Sequence, residues 1–297
     1  MYQKKSMNTP NLFIPGAGKS GTSSLHEYLN QHPDISMSAI KEPHYLSNTG
    51  LLENLSEDYL NLFNDNKFRG ESSTGYMIFD SFKENVLTHC PEAKFIFVLR
   101  NPIDRLVSHY NWKHGGGHEP KTFWDAINDD KNKIPIAGVP DSPMGYRSYV
   151  QWGYYYKWLK SFYTYFDSQN IYIITTEQLK DESLKTLNQC FDFLNVERID
   201  LDFTQKHNIS KVVTRPKLKS FIQKCRIPFT EYVPYSLKSP LQKFKKVALS
   251  NCESTDKKLQ FSLSKQGRIE VKNIYLNDVN ELKNLTGLSF KEWKDFS

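Results

Sequence analysis

The sequence predicts an α/β fold three layers deep, with a central parallel sheet flanked by helices. Three observations lead there. Short apolar runs alternate with amphipathic helical stretches along the chain. Two of those runs lead into helices, 11–15 through a glycine-rich loop and 95–99 through Arg100-Asn101-Pro102. A chain of 297 residues with 38% hydrophobic and 14% aromatic content can also bury one sizeable core. A single domain over 1–297 is expected, with a less regular basic segment, 204–250, packed on it.

Residues 11–15 read as a short buried strand feeding the loop Gly16-Ala17-Gly18-Lys19-Ser20-Gly21-Thr22. The helix after it places Leu25, Tyr28 and Leu29 on one face and ends before Pro33. Phe95 to Leu99 form a second buried strand. Arg100-Asn101-Pro102 then opens a helix, with proline suited to its first turn. In that helix Ile103, Leu106, Val107 and Tyr110 keep core spacing, while Arg105, Ser108 and Trp112 are expected opposite; Gly115 to Gly117 end it. Residues 129–143 read as a lid or acceptor loop, rich in Pro, Gly and Asp. An aromatic helix over 149–166 and a strand over 171–175 come next. Leu184, Leu187, Phe191 and Leu194 mark one more amphipathic helix.

Composition narrows the function classes. Four scattered cysteines without Cys-x-x-Cys spacing argue against a disulfide or metal scaffold and for reduced, buried thiols. No leader pattern opens the chain and no apolar run nears the ~20 residues a membrane helix needs, so a cytoplasmic protein is expected. Net charge is +6, concentrated in 204–250, where eleven Lys/Arg face one acid, Glu231. That segment suits an anionic partner. Its stripe Leu237, Leu241, Phe244 and Ala248 either packs on the domain or makes peripheral membrane contact. No nucleic-acid partner is expected, and the oligomeric state is not legible.

The glycine loop admits three readings. Gly16-x-Gly18-x-x-Gly21 fits the dinucleotide fingerprint, but the acid near the required distance, Glu42, lies in Lys41-Glu42-Pro43-His44 rather than at a strand end. A small-molecule kinase would need Gly-Lys-Ser/Thr at the loop's end and a metal-binding aspartate after a neighbouring strand. Here Lys19 and Ser20 precede Gly21, and the strand 95–99 ends in Arg100. What survives is an anion cradle: open N–H groups at a helix start, the Lys19 charge, and the hydroxyls of Ser20, Thr22 and Ser23. A non-enzymatic nucleotide- or polyanion-binding protein stays open as an alternative, beside the kinase.

Gly-x-x-Lys19-Ser20-Gly21-Thr22-Ser23-Ser24-Leu25 after a strand resembles the 5′-phosphosulfate loop of sulfotransferases that use 3′-phosphoadenosine 5′-phosphosulfate (PAPS). Arg100-Asn101-Pro102-x-x-Arg105-x-x-Ser108 resembles their 3′-phosphate site. Gln31-His32-Pro33, Lys41-Glu42-Pro43-His44-Tyr45 and Gly70-Glu71-Ser72-Ser73-x-x-Tyr76 resemble the carbohydrate-modifying branch, in a form like the soluble bacterial ones. Glu177-x-Leu179, Phe193-Leu194, Thr286-Gly287 and Trp293 fit later landmarks.

This resemblance implies a P-loop-kinase-like sulfotransferase fold with PAPS as sulfuryl donor and 3′-phosphoadenosine 5′-phosphate (PAP) as product. The acceptor would be a carbohydrate, glycolipid or small metabolite, sulfated at a hydroxyl or amine by in-line displacement. It implies Lys19, Ser20, Gly21, Thr22, Ser23, Arg100, Ser108 and Arg215 as cofactor contacts, with no metal. Lys211 and Lys217 are further candidates beside Arg215, and Arg105 is either a cofactor contact or a helix-face ion pair. Lys19 would neutralise the leaving oxygen, and Glu42 or His44 would serve as base. Lys41 and Glu71 are placed to orient the base or acceptor, while Tyr146, Tyr149, Trp152 and Tyr154 are candidates for the acceptor pocket or the core. Pro43 and Leu46 depart from the heparan-type pattern, which counts against a glycosaminoglycan acceptor.

Overall fold

The computed structural model describes residues 8–47, 51–131, 148–204, 212–213, 253–254 and 260–297. Its central sheet is parallel throughout: β1 (Leu12–Phe13), β2 (Ile35–Met37), β3 (Phe68–Glu71), β4 (Lys94–Leu99) and β5 (Ile171–Thr175), in the order β2-β3-β1-β4-β5. β1 sits centrally, with Leu12 opposite Gly70 on one side and Lys94 on the other. A separate antiparallel pair joins β6 (Val212–Val213) to β7 (Glu253–Ser254).

Alternation along β4 divides the core. Phe95, Phe97 and Leu99 face one layer and Ile96 and Val98 the other, as the period of two demands. The first layer gathers α3 (Asp80–His89), α4 (Pro102–Gly115), α5 (Phe123–Asp130), α6 (Tyr155–Tyr165) and α9 (Lys265–Thr286). The second is built on α1 (Thr22–Leu29) and α8 (Ser183–Leu194), preceded by α7 (Thr176–Asp181). A one-turn α2 (Glu57–Leu60) lies between β2 and β3.

Three local expectations change. The aromatic helix starts at Tyr155 rather than Tyr149, because 149–154 form a turn whose Gly153 lies against Tyr275; a Cβ there would sit 2.7 Å from that ring. Asp129 and Asp130 belong to α5 rather than to a loop, and buried Asp130 accepts the Val150 N–H at 2.6 Å. Arg105 is fully buried instead of lying on an outer face. Residues 132–143 of the acceptor loop, Tyr146, Lys211, Arg215, Lys217 and the stripe Leu237 to Ala248 lie outside the described residues. Cys90 and Cys190 are buried free thiols, and Cys225 and Cys252 also lie outside. No described helix is long and apolar enough to cross a membrane.

Candidate active site

The site opens at the carboxyl ends of β1 and β4, where an α/β sheet leaves a crevice. Ala17 N–H donates to Val98 O (2.8 Å) and Val98 N–H to Gly16 O (2.9 Å), stitching the glycine loop to β4. Trp152 lies over Gly18 so closely that a Cβ there would come within 2.8 Å of its ring. Gly21 takes φ 96° and begins α1 with no capping side chain. A helix start of this kind leaves its first N–H groups open at the positive helix end. Ser20 and Thr22 are buried and Ser23 half-buried. Ser20 O accepts from Thr176 Oγ1 at 2.6 Å, and its buried hydroxyl lies near the Tyr155 phenol.

Lys19, at φ 71°, extends its ammonium over the exposed Trp112 ring, 5.0 Å from the centroid. Burial, and then repulsion from Arg100, depress its pKa to about 8 against a smaller pull from Glu42. Arg100 directly follows β4 and donates from Nη1 to Lys19 O at 3.2 Å, so the two motifs meet across 81 residues of sequence. Tyr155 OH holds the Arg100 carbonyl at 2.9 Å.

Asn101 caps α4 by accepting from Ile103 N–H (3.0 Å), and its amide donates to Asp295 at 2.7 Å. Arg268 on α9 bridges Asp295 and Asp104. Glu177 accepts from Asn101 N–H and from Trp293 Nε1, both at 3.2 Å. This network ties α7, α9 and the C-terminal segment to the turn that aims Arg100. Ser108 lies half-buried two turns along α4. Arg105 does not lie on an outer helix face: its guanidinium donates to Tyr149 O and meets His109 Nδ1 at 3.3 Å, inside the core.

The third part is the loop after β2. Glu42 Oε1 accepts from Lys41 Nζ (2.8 Å) and from Thr74 Oγ1 (3.3 Å), and Oε2 lies 3.6 Å from His44 Nε2. Burial works to raise the Glu42 pKa, but the His44 hydrogen bond and the Lys41 charge and hydrogen bond outweigh it and hold it at about 2. The Glu42 side chain is 36% exposed and that of His44 9%. Behind them lie the fully buried Glu71 and the pair His26 Nδ1 and Ser72 Oγ, 2.9 Å apart. Burial and the Lys41 charge depress the His26 pKa to about 4, so this imidazole is neutral near pH 7. Tyr149 and Trp152 are buried in the core and Tyr154 is half-buried. Among the described residues no cluster of His, Cys, Asp or Glu could hold a metal ion.

Trp112, Tyr155, Thr176, His26 and the Arg268–Asp295 pair escape sequence reasoning, since each acts across more than fifty residues or lacks a motif. One signal was readable: Thr175-x-x-Gln178 is a capping box, and it fixes the start of α7 beside Ser20.

Comparison with known proteins adds the following. A family model described as "Sulfotransferase domain" matches residues 9–271. Human heparan sulfate glucosamine 3-O-sulfotransferase 3A1 is 26% identical over 210 residues, covering 70% of this chain and 48% of that protein. Mouse carbohydrate sulfotransferase 15 is 24% identical over 247 residues, covering 63% and 44%. The chain therefore spans about half the length of the curated relatives it matches. A solved sulfotransferase from Alicyclobacillus acidocaldarius shares the fold at TM-score 0.66 and 24% identity, covering 96% of this chain and 98% of that one.

Proposed function

The chain belongs to the sulfotransferase domain family, and from that premise we propose that it transfers the sulfuryl group of PAPS to a carbohydrate hydroxyl or amine. One observation carries the reading: Lys19 and Arg100 converge on one crevice, with Glu42 close enough for its charge to act on Lys19. The residues fit a donor that has phosphates at both ends. The uncapped start of α1 and the Gly18–Gly21 backbone suit the 5′ end, and Arg100 with Ser108 suits the 3′-phosphate. PAPS supplies an activated sulfuryl group and a phosphate leaving group.

The protein's part is positioning and charge. Lys19, within the glycine loop itself, would neutralise the oxygen on which charge grows as the S–O bond breaks, a type of help worth roughly 10²–10³ in rate. Glu42 accepts the acceptor's proton as the new bond to sulfur forms. Its low pKa makes it a weak base toward a free hydroxyl, but the attacking oxygen turns acidic once it bonds to sulfur, so transfer occurs late. Lys41 holds the carboxylate from one side and His44 from the other. Relatives that act on sugars support a carbohydrate acceptor.

The test is calorimetric binding of PAP together with turnover of PAPS in chelator. Arg100→Ala should abolish PAP binding. Glu42→Gln should keep it and lose turnover by roughly 10²–10⁴. A folded native chain that ignores PAP would refute the proposal, and full activity in Glu42→Gln would transfer the base role to His44.

A further inference from the structure

The chain from 42 to 46 passes through two non-glycine residues in the left-handed region, Glu42 at φ 58° and His44 at φ 52°. Each costs on the order of 1 kcal/mol, so the shape persists only where neighbours over-determine it. Three bonds from the carboxyl end of β3 do so. Glu42 N–H donates to Ser72 O (3.1 Å), His44 N–H to Ser73 Oγ (3.1 Å) and Leu46 N–H to Tyr76 OH (3.0 Å).

Two of those three acceptors are hydroxyls, and both send their own protons to one group. Ser73 donates to Glu71 Oε1 (2.5 Å) and Tyr76 to Glu71 Oε2 (3.1 Å), which Tyr59 OH also reaches. Glu71 has no exposed surface; burial pushes its pKa up and the three hydroxyls pull against that. A hydroxyl that must donate toward a carboxylate leaves its lone pairs turned away from it. Here the lone pairs meet the two loop amides, so the polarity of both relays is set at their far end.

We propose that Glu71 is a positioning residue for Glu42: by taking the Ser73 and Tyr76 protons it fixes those hydroxyls as acceptors for the His44 and Leu46 amides, and so holds the 42–46 chain in the shape that presents Glu42. Its kinetic half rests on the sulfuryl-transfer reading above; its structural half does not. Glu71→Gln tests the polarity directly. One oxygen becomes an NH₂ donor facing Ser73 or the tyrosines, and at least one buried hydroxyl proton then lacks an acceptor. Ser73→Ala removes one relay outright, and Ser73→Thr keeps its hydroxyl.

The experiment follows amide exchange by mass spectrometry in a peptide spanning 42–47, alongside PAPS turnover and PAP affinity. In Glu71→Gln and Ser73→Ala, exchange in 42–47 should quicken by about tenfold or more while β1 and β4 stay protected. Turnover should fall roughly 10- to 100-fold, as for a base displaced by about 1 Å, and PAP affinity should hold. Ser73→Thr should restore both. Unchanged exchange in 42–47 overturns the proposal, and so does faster exchange with undiminished turnover. Loss of turnover matched by loss of PAP affinity and of sheet-wide protection also overturns it, by showing Glu71 to be merely structural. If Glu71→Gln does not fold, the Ser73 pair decides. Should the native chain fail to turn over PAPS, the function reading falls alone, and the exchange arm still decides the link from Glu71 to the loop.

Discussion

Raising the pH from 7 to 10 should release PAP from the protein although every phosphate on it remains ionised. The cause is Lys19, whose pKa burial and Arg100 depress from 10.5 to about 8. Above pH 8 the free site holds a neutral amine, while a bound anion favours the ammonium, so binding must take up a proton. Affinity then falls tenfold per pH unit, about 1.4 kcal/mol each, until the pKa of the complex is reached. Stability of the free protein runs the other way. Between pH 8 and 10.5 the unfolded chain keeps the Lys19 proton and the folded chain does not, so stability rises with pH there, by up to ~1.4 kcal/mol per unit relative to Lys19→Met and less where water reaches the ammonium. The desolvation cost is fully present below pH 8 and gone above 10.5.

Calorimetry of PAP from pH 6.5 to 10, in two buffers of different ionisation enthalpy, reads both the slope and the proton. Uptake should approach one proton near pH 9. Lys19→Arg, whose guanidinium stays charged throughout this range, should bind without that slope. A native profile flat to pH 10, or a slope that survives in Lys19→Arg, would refute the assignment of Lys19 to the anion.

Four further outcomes follow from the same geometry. Because Glu42 is held at about 2, the rate profile should show no acid limb from this carboxyl above pH ~4, and a limb near 5 that vanishes in Glu42→Gln would contradict its contacts. Gly18→Ala drives a methyl to 2.8 Å from the Trp152 ring, so thermal unfolding should register a loss of about 1–3 kcal/mol, with weaker PAP binding. Arg268→Met removes the clasp on Asp104 and Asp295 and should cost about 1–3 kcal/mol in denaturant unfolding, with PAP affinity reduced through Asn101. Burial raises the Asp278 pKa to about 6 although it caps α6, so the native chain should lose stability relative to Asp278→Asn as pH rises from 4 to 6, by about 3 kcal/mol in all.

The layering was readable because β4 carries the five-residue apolar run Phe95 to Leu99 and β1, though short, leads through Ile14 and Pro15 into its glycine loop. β2 and β3 were harder. Ile35–Met37 is three residues long, and Phe68–Glu71 carries Arg69 and Gly70, so neither offers an apolar run. Gly70 is there because the Met37 side chain lies where its Cβ would be, at 2.2 Å, a cause visible only once β2 and β3 are paired. Arg105 shows how a helical wheel misleads: spacing put it opposite Ile103 and Leu106, but the 149–152 turn covers α4 at that position, while Trp112 on the same face stays exposed.

At the site, the residues proposed to bind anions through their own chemistry were legible, since Lys19 and Arg100 stand in motifs whose spacing is local. Residues that act by holding others were not. Glu71 was marked as a charged neighbour able to orient something, yet which atoms it orients depends on Tyr59, Ser73 and Tyr76 reaching it together and on two backbone amides 27 and 25 residues away in sequence. The choice between Glu42 and His44 has the same origin. Both sit in one four-residue motif with positive φ at each, and what separates them is visible only in the fold: the His44 ring lies edge-on to Tyr76, 6.0 Å away, while the Glu42 side chain is the more exposed. Backbone shape of that kind costs energy locally, and the bonds that meet it come from Ser72, Ser73 and Tyr76, outside the motif.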